Sequence, residues 1–359
     1  MRWLMHNTKQ RDFLSYCQGG YVKATLMIAC FITIAFITLI AYTHYYWLDN
    51  FAGTKQEHIR AQLFKVEKGD NSLKVLNRLT KQGIIKQPLA YRLLMLQQPS
   101  LTRLKAGQYR LSDNMTPTQL LSLLCSGVQA QFSVTLIEGL SFKQWLADAA
   151  ENEHIKVNTA SFEQFYHPAA PLNSAYPYAA LEGMFYPDTY YVSDQSSFTS
   201  ILERANARLK AVLAKHWQNR QAGLPFETPY QALILASIIE KETAIASERE
   251  KIASVFVNRM RAGMRLQTDP TVIYGVGDRY QGDITRAHLR EKNPYNTYKI
   301  NGLPPSPIAM VSEAAIKATL NPSTTPFYYF VAAGDGGHYF SKSLAEHNRA
   351  LQRYLSLSQ

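Results

Sequence analysis

The pattern of apolar and polar positions divides the chain into one long apolar run followed by many short patterned ones. Residues 24–42 (ATLMIACFITIAFITLIAY) contain neither a charge nor a proline, and this length approaches the roughly 20 residues a helix needs to cross a hydrocarbon core of about 30 Å. The run is longer than a signal-peptide core, and no small-x-small cleavage site follows it. Tyr45, Tyr46 and Trp47 stand where amphipathic rings settle at a membrane interface. A retained membrane helix is therefore expected over 24–46. Arg2, Lys9, Arg11 and Lys23 precede it, whereas His44, Asp49 and the more distant Lys55 follow. The positive-inside rule then places a tail of residues 1–23 in the cytoplasm and the bulk of the chain outside.

Beyond the span, residues 62–112 read strand, helix, helix, strand. Leu63 and Val66 begin the first strand, and Leu73, Leu76 and Leu79 make a helical stripe. Tyr91, Leu94 and Met95 make a second stripe, and Gly107 opens the returning strand. MTPTQLLSLLCSG predicts a short helix with Thr116 as cap, Pro117 at its first position and Gly127 as its stop. QFSVTLIEGLSFKQWLADAAE predicts a strand turning at Gly139 into an amphipathic helix that carries Leu140, Phe142 and Trp145. Residues 155–180, rich in Pro, Ala, Ser and Tyr, predict a loop or domain junction. In LEGMFYPDTYYV, Phe185, Tyr186, Tyr190 and Tyr191 surround Pro187 and Asp188; such rings either stack on sugars or are strand and core residues. FYYFVAAGDGGHYFSKS predicts a hairpin with a glycine-rich turn. The fold class expected from this mixture is α+β.

The chemistry concentrates in ETPYQALILASIIEKET. Thr228 sits at the N-cap and Pro229 at the first helical position, where its fixed φ and missing N–H are tolerated. At about 100° per residue, Leu235, Ile238, Ile239, Glu242 and Ile245 fall on one face, with Glu240 roughly opposite. Ser247 and Glu250 have capping-box spacing for the next helix, KIASVFVNRMRAG, which ends at Gly263. The first helix must then stop near 243–246, leaving Glu242 in its last turn. Desolvation and the negative end of the helix dipole both raise the pKa of a carboxyl there, as general-acid catalysis requires. The alternative is an ion pair between Glu242 and Arg249, Arg259 or Arg265.

Two polar stretches could wall a cleft. Gln267, Thr268 and Asp269 precede Pro270, although Asp269 could equally cap a helix starting there. Asn296, Thr297 and Tyr298 precede the prolines from 304 to 307, which forbid regular structure. His338 on the return strand of the hairpin is expected to be structural, because no nucleophile elbow, zincin helix or acid-partner spacing accompanies any histidine. No metal and no cofactor are expected.

Composition narrows the partners. At 359 residues and 46% hydrophobic content, the chain can bury a sizeable core. Its net charge of +11 on a mostly extracytoplasmic protein, without a zinc finger or an aromatic RNP pattern, excludes nucleic acid as the expected partner. Anionic envelope polymers or lipid head groups remain, beside the plainer reading of a solvated basic surface. Of the three cysteines, Cys17 precedes the span, Cys30 lies in it and Cys125 alone reaches the outer side, so no intrachain disulfide is expected there.

LASIIEKETAIASEREKIASVFVNRMRAGMRLQTDPTVIYG, taken with LEGMFYPDTYYV, YNTYKINGLPPSPIA and YFVAAGDGGHYFS, closely resembles the YceG-like family of endolytic murein transglycosylases. The likeness runs from the span to the C-terminus. It implies a single-pass inner-membrane enzyme with a LysM-like substrate-binding subdomain over 56–130 and a catalytic domain over 131–359 facing the periplasm. Such an enzyme cleaves MurNAc–GlcNAc bonds within nascent glycan strands and leaves 1,6-anhydro-MurNAc ends. Peptidoglycan strands are then the substrate, the membrane the anchor and peptidoglycan synthases candidate partners. The family's essential glutamate aligns with Glu242, the residue that helical geometry also selects. Gln267, Thr268, Asp269, Asn296 and Tyr298 are the expected substrate contacts, with Asp269 and Glu248 as candidate helpers. A tail longer than the family pattern is the one departure. A hydrolytic muramidase with a second carboxylate across the cleft, and a non-catalytic glycan-binding scaffold, are the competing readings.

Overall fold

A computed structural model describes residues 5–171 and 173–357. The expected tail over 1–23 therefore lies partly outside the described residues, Arg2 included. About half of the chain is helical, the sheets are small, and the fold is mixed α+β. By contacts the chain divides into two compact units, residues 1–130 and 131–359.

The first unit begins with helix α1, Met5–Gly53. Within it Leu26–Gly53, 28 residues with a mean hydropathy of 2.3, is long and apolar enough to cross a membrane. The helix outruns the expected span at both ends. No proline stops it before Gly53, and its last turns have a protein core to bury against: Leu48, Phe51 and Ala52 join the core of this unit, and Phe51 meets Tyr91 edge-on at 5.3 Å. Strand β1 (Gln62–Val66) pairs antiparallel with β2 (Gly107–Leu111), setting Phe64 opposite Tyr109. Between them lie α2 (Ser72–Lys81), capped by Asn71, and α3 (Pro88–Gln97). Val66, Leu76 and Leu79 of the expected stripes are buried, but Leu63 and Leu73 are not among the inward residues. Phe64 and Val75 are buried while Leu63 and Leu73 are exposed, since the strand's pairing and the packing of α2, rather than spacing alone, choose the inner face. Tyr91, Leu94 and Met95 are buried as expected. Helix α4 (Pro117–Ser126) carries the expected Thr116 cap, completed as a capping box by Gln119, and ends at Gly127, whose φ of 78° is left-handed.

The second unit has two cores. Strand β3 (Phe132–Leu136) pairs antiparallel with β5 (Asp188–Val192), while β4 (Ile155–Lys156) pairs parallel with β6 (Ser196–Ser197). Helix α5 (Phe142–Glu151), opened by a Ser141–Gln144 capping box, and α6 (Phe198–Gln218) cover them. Phe142, Trp145, Phe162, Phe165, Phe185 and Phe198 fill this core. The described part of residues 155–180 is mostly loop, as one of the two expected readings has it, but it is not a domain junction, because Phe162 and Phe165 anchor the stretch inside the unit. Phe185 and Tyr190 are likewise core and strand residues, whereas Tyr191 faces solvent.

The other core is built on α7 (Pro229–Glu242), α8 (Arg249–Arg261) and α11 (Glu313–Leu320). Between them in sequence lie α9 (Asp269–Val276) and the short α10 (Arg286–Arg290). Strands β7 (Tyr329–Ala332) and β8 (His338–Ser341) form the expected hairpin, followed by α12 (Leu344–Leu357). Helix α7 starts as predicted: Thr228 accepts a hydrogen bond from the Gln231 N–H at 3.3 Å, with Pro229 at the first position. Every residue from Ala232 to Ile239 is buried, so α7 is a central helix rather than a one-faced one. The two glutamates at its end are both half-buried. Their partners, not opposite helical faces, tell them apart.

Candidate active site

Glu242 is the last residue of α7, and the chain leaves the helix at Thr243 in an extended conformation. Its side chain lines a groove of about 510 Å³ together with Glu138, Gly139, Leu140, Glu240 and Lys241, a volume within the range of small-ligand clefts. The Thr268 hydroxyl donates to Oε1 of Glu242. Oε2 receives no protein hydrogen bond among the described residues. Burial raises the Glu242 carboxyl from 4.5 to about 7; the Thr268 hydrogen bond opposes this, and the neighbouring negative charge of Asp269 adds to it.

The ion-pair alternative is not realised. Buried Arg259 donates instead to the Tyr328 carbonyl at 2.6 Å and the Leu266 carbonyl at 2.8 Å. Arg265 donates to the Tyr298 carbonyl at 3.0 Å, and Arg249 reaches only the Ala244 carbonyl, at 3.4 Å. Among the described residues no base lies within ion-pair distance of Glu242. Glu240 has a different task. Its Oε2 accepts from both the N–H and the hydroxyl of Ser312, at 3.0 and 2.5 Å, and so places a carboxylate at the positive end of α11.

The Gln267-Thr268-Asp269 segment does reach the glutamate, through its middle member. Thr268 is buried, and its N–H donates to the Thr297 hydroxyl at 3.0 Å. Thr271 and Thr297 join hydroxyls at 2.8 Å behind it, which locks the Thr268 backbone. Gln267 is exposed at a φ of 50°. Asp269 is exposed as well and accepts from the Tyr298 hydroxyl at 2.7 Å. Thr268, not Asp269, holds the N-cap position of α9, and neither side chain caps it. Asn296 is fully buried; its amide donates to the carbonyls of His288, Leu289 and Glu291 while its carbonyl accepts from the Tyr298 N–H. Its polar atoms are thus spent on the loop that carries Tyr298.

The expected capping box at Ser247 does not form. Helix α8 begins at Arg249 with Glu248 at the N-cap and no side-chain cap bond. The Glu248 carboxylate is engaged elsewhere, accepting from the His338 N–H at 3.0 Å and facing its Nδ1 at 2.7 Å. His338 therefore has an acid partner after all, one that sequence spacing could not reveal.

A model of the YceG-like family matches residues 64–353, most of the chain. The chain belongs to the YceG-like family. It is similar to the endolytic murein transglycosylase of Bacillus subtilis, 29% identical over 313 residues that cover 81% of this chain and 84% of that one. It is also similar to the endolytic murein transglycosylase of Streptococcus pneumoniae D39, 25% identical over 370 residues that cover 94% of this chain and 66% of that one. A crystal structure of a YceG-like protein from Listeria monocytogenes superposes with a TM-score of 0.53 at 29% identity, covering 81% of this chain and 98% of that one.

This YceG-like chain also holds a carboxylate that sequence reasoning missed. Glu182 is fully buried, accepting from the Phe142 N–H at 3.0 Å and from the Tyr274 hydroxyl at 3.2 Å. Burial lifts its carboxyl to about 8 against those hydrogen bonds and the nearby charge of Lys241. It ties the first turn of α5 to α9. The only sequence signal was a glutamate between apolar neighbours in LEGMF. Gly139, on the groove wall, shows in the sequence only as a turn, and Glu138 beside it carries no sequence signal of its own.

Proposed function

We propose that this protein is a membrane-anchored endolytic transglycosylase that cuts MurNAc–GlcNAc bonds within nascent glycan strands. The observation that carries the reading is the Glu242 carboxyl: desolvated, raised to about 7, free of any ion pair and with one oxygen unspent in a groove. Such a group can deliver a proton near neutral pH and take one back.

Glu242 protonates the departing glycosidic oxygen as an oxocarbenium-like state develops. The resulting carboxylate then removes the proton from the C6 hydroxyl of the same sugar, whose oxygen attacks C1 to close the 1,6-anhydro ring. No water enters, and one carboxyl serves both steps. Thr268 holds that carboxyl in place, and Gln267, Asp269 and Tyr298 stand on the same loops as candidate sugar contacts. The strand-helix-helix-strand segment of the first unit is read as LysM-like, a glycan-holding module. The apolar stretch of α1 is read as an inner-membrane anchor, with residues 1–23 cytoplasmic and the remainder periplasmic.

Hydrolysis is the second reading, because Glu138 exposes a carboxylate on the wall of the same groove, and a paired acid is what a hydrolase requires. Digestion of uncrosslinked nascent peptidoglycan by the wild type and Glu242→Gln, followed by mass spectrometry, separates the readings. Muramic ends lacking water, absent with the variant, are the expected products. Ends that have gained water indicate hydrolysis, and full activity in the variant overturns the role of Glu242.

A further inference from the structure

Arg249 is the first residue of α8 and lines the groove that contains Glu242. It pairs with no acidic side chain among the described residues. One of its N–H groups makes the long 3.4 Å contact to the Ala244 carbonyl, and its Nε is buried without an acceptor. Lys241, the other base on the groove wall, already donates to the Gly139 carbonyl at 3.0 Å. Folding gains little from such an arginine. A partly desolvated donor without an acceptor is costly, and a cation in the first turn of a helix opposes the dipole. An anion in the groove offsets both costs, and the planar guanidinium suits a carboxylate through two parallel hydrogen bonds.

We propose that Arg249 is a specificity-determining residue that binds a carboxylate carried by the muramic-acid residue of the strand lying against Glu242. The inference rests on the glycan-cleaving reading above. In intact strands that carboxylate belongs to the stem peptide; in strands stripped of peptide it is the lactyl group of the sugar itself.

The test uses the full chain in detergent, with wild type, Arg249→Gln and Arg249→Lys acting on intact strands, on peptide-stripped strands, and on each after amidation of its carboxylates. Wild type should lose about tenfold in kcat/KM on amidation, the scale of one charge-assisted contact. Arg249→Gln should raise KM about tenfold, leave kcat within about twofold and become indifferent to amidation, with Arg249→Lys in between. Sensitivity confined to intact strands assigns the stem peptide, and sensitivity confined to stripped strands assigns the lactyl group. An unchanged KM in Arg249→Gln, or undiminished sensitivity to amidation, overturns the proposal. Sedimentation of Glu242→Gln with and without Arg249→Gln on the same strands reads binding without turnover. A wild type that cuts nothing would thus defeat the functional reading while still leaving Arg249 tested: a loss of binding with Arg249→Gln supports the proposal, and equal binding overturns it.

Discussion

The hydroxyl of Thr268, on the loop that leads into α9, donates its hydrogen bond to Oε1 of Glu242, at the end of α7. The donor leaves Oε2 for the groove and favours the charged form of the carboxyl. Thr268→Val should therefore push the alkaline limb of the pH–rate profile upward while lowering kcat by roughly ten- to a hundredfold, the scale of a misplaced catalytic group. Thr268→Ser should restore both. A profile that does not move in the valine variant would mean that the hydroxyl has no hold on the acid.

Glu242 is raised from 4.5 to about 7, so an activity that needs its proton is full below pH 7 and falls about tenfold per unit above it. Asp269 contributes to the rise by like-charge repulsion. Asp269→Asn keeps an acceptor for the Tyr298 hydroxyl but removes the charge, and should move the limb toward lower pH. Initial rates from pH 5 to 9 on one substrate preparation check both the position and the sign.

Glu240 and Glu242 are two residues apart but should respond differently to substitution. Glu240→Ala removes the acceptor from the N–H and hydroxyl of Ser312. It should cost about 1–2 kcal/mol of stability, the scale of a helix cap, while anhydro-product still forms. Urea denaturation and product analysis of the same preparation read the two effects separately.

Glu182 makes stability depend on pH. The folded chain keeps this proton up to about 8, whereas a carboxyl at the ordinary value of 4.5 releases it in the unfolded chain. The stabilising proton uptake is fully present below about pH 4.5 and is lost as pH rises toward 8, a contribution on the order of 3–5 kcal/mol. Glu182→Gln should abolish this part of the slope, seen as a smaller fall in Tm between pH 5 and 8 than in the wild type. Equal slopes would mean that the buried carboxyl is not protonated in the folded state.

Glu248 and His338 should be energetically coupled by about 1–3 kcal/mol in a double-mutant cycle on denaturant stability. Both side chains are about 14% exposed, so each leaves a poorly hydrated partner when removed. Additive effects would show that the pair does not fasten the hairpin to the start of α8.

Local signals were enough for most of the elements and for the place of Glu242 in the last turn of a helix. Thr228 and Pro229 start α7, Thr116 and Gly127 bound α4, the turn between Ala332 and His338 folds back, and the apolar run after Lys23 forms helix. Each depends on neighbours within a few positions, through caps, a fixed φ or periodicity, which a single sequence displays. Those same signals ended α7 near Glu242 and left a carboxyl at the edge of an apolar helix. The sequence could not say what each polar group meets. Glu248 passes for a helix-start residue until folding brings His338, ninety positions away, to its carboxylate. Asn296 passes for a surface contact until three backbone carbonyls surround its amide, and Glu182 for an ordinary acid until two aromatic residues and a helix N-terminus enclose it. A carboxylate has the same chemistry wherever it stands in the chain. Its pKa, its partners and its access to a groove come from contacts distant in sequence, and only the packed tertiary structure decides those.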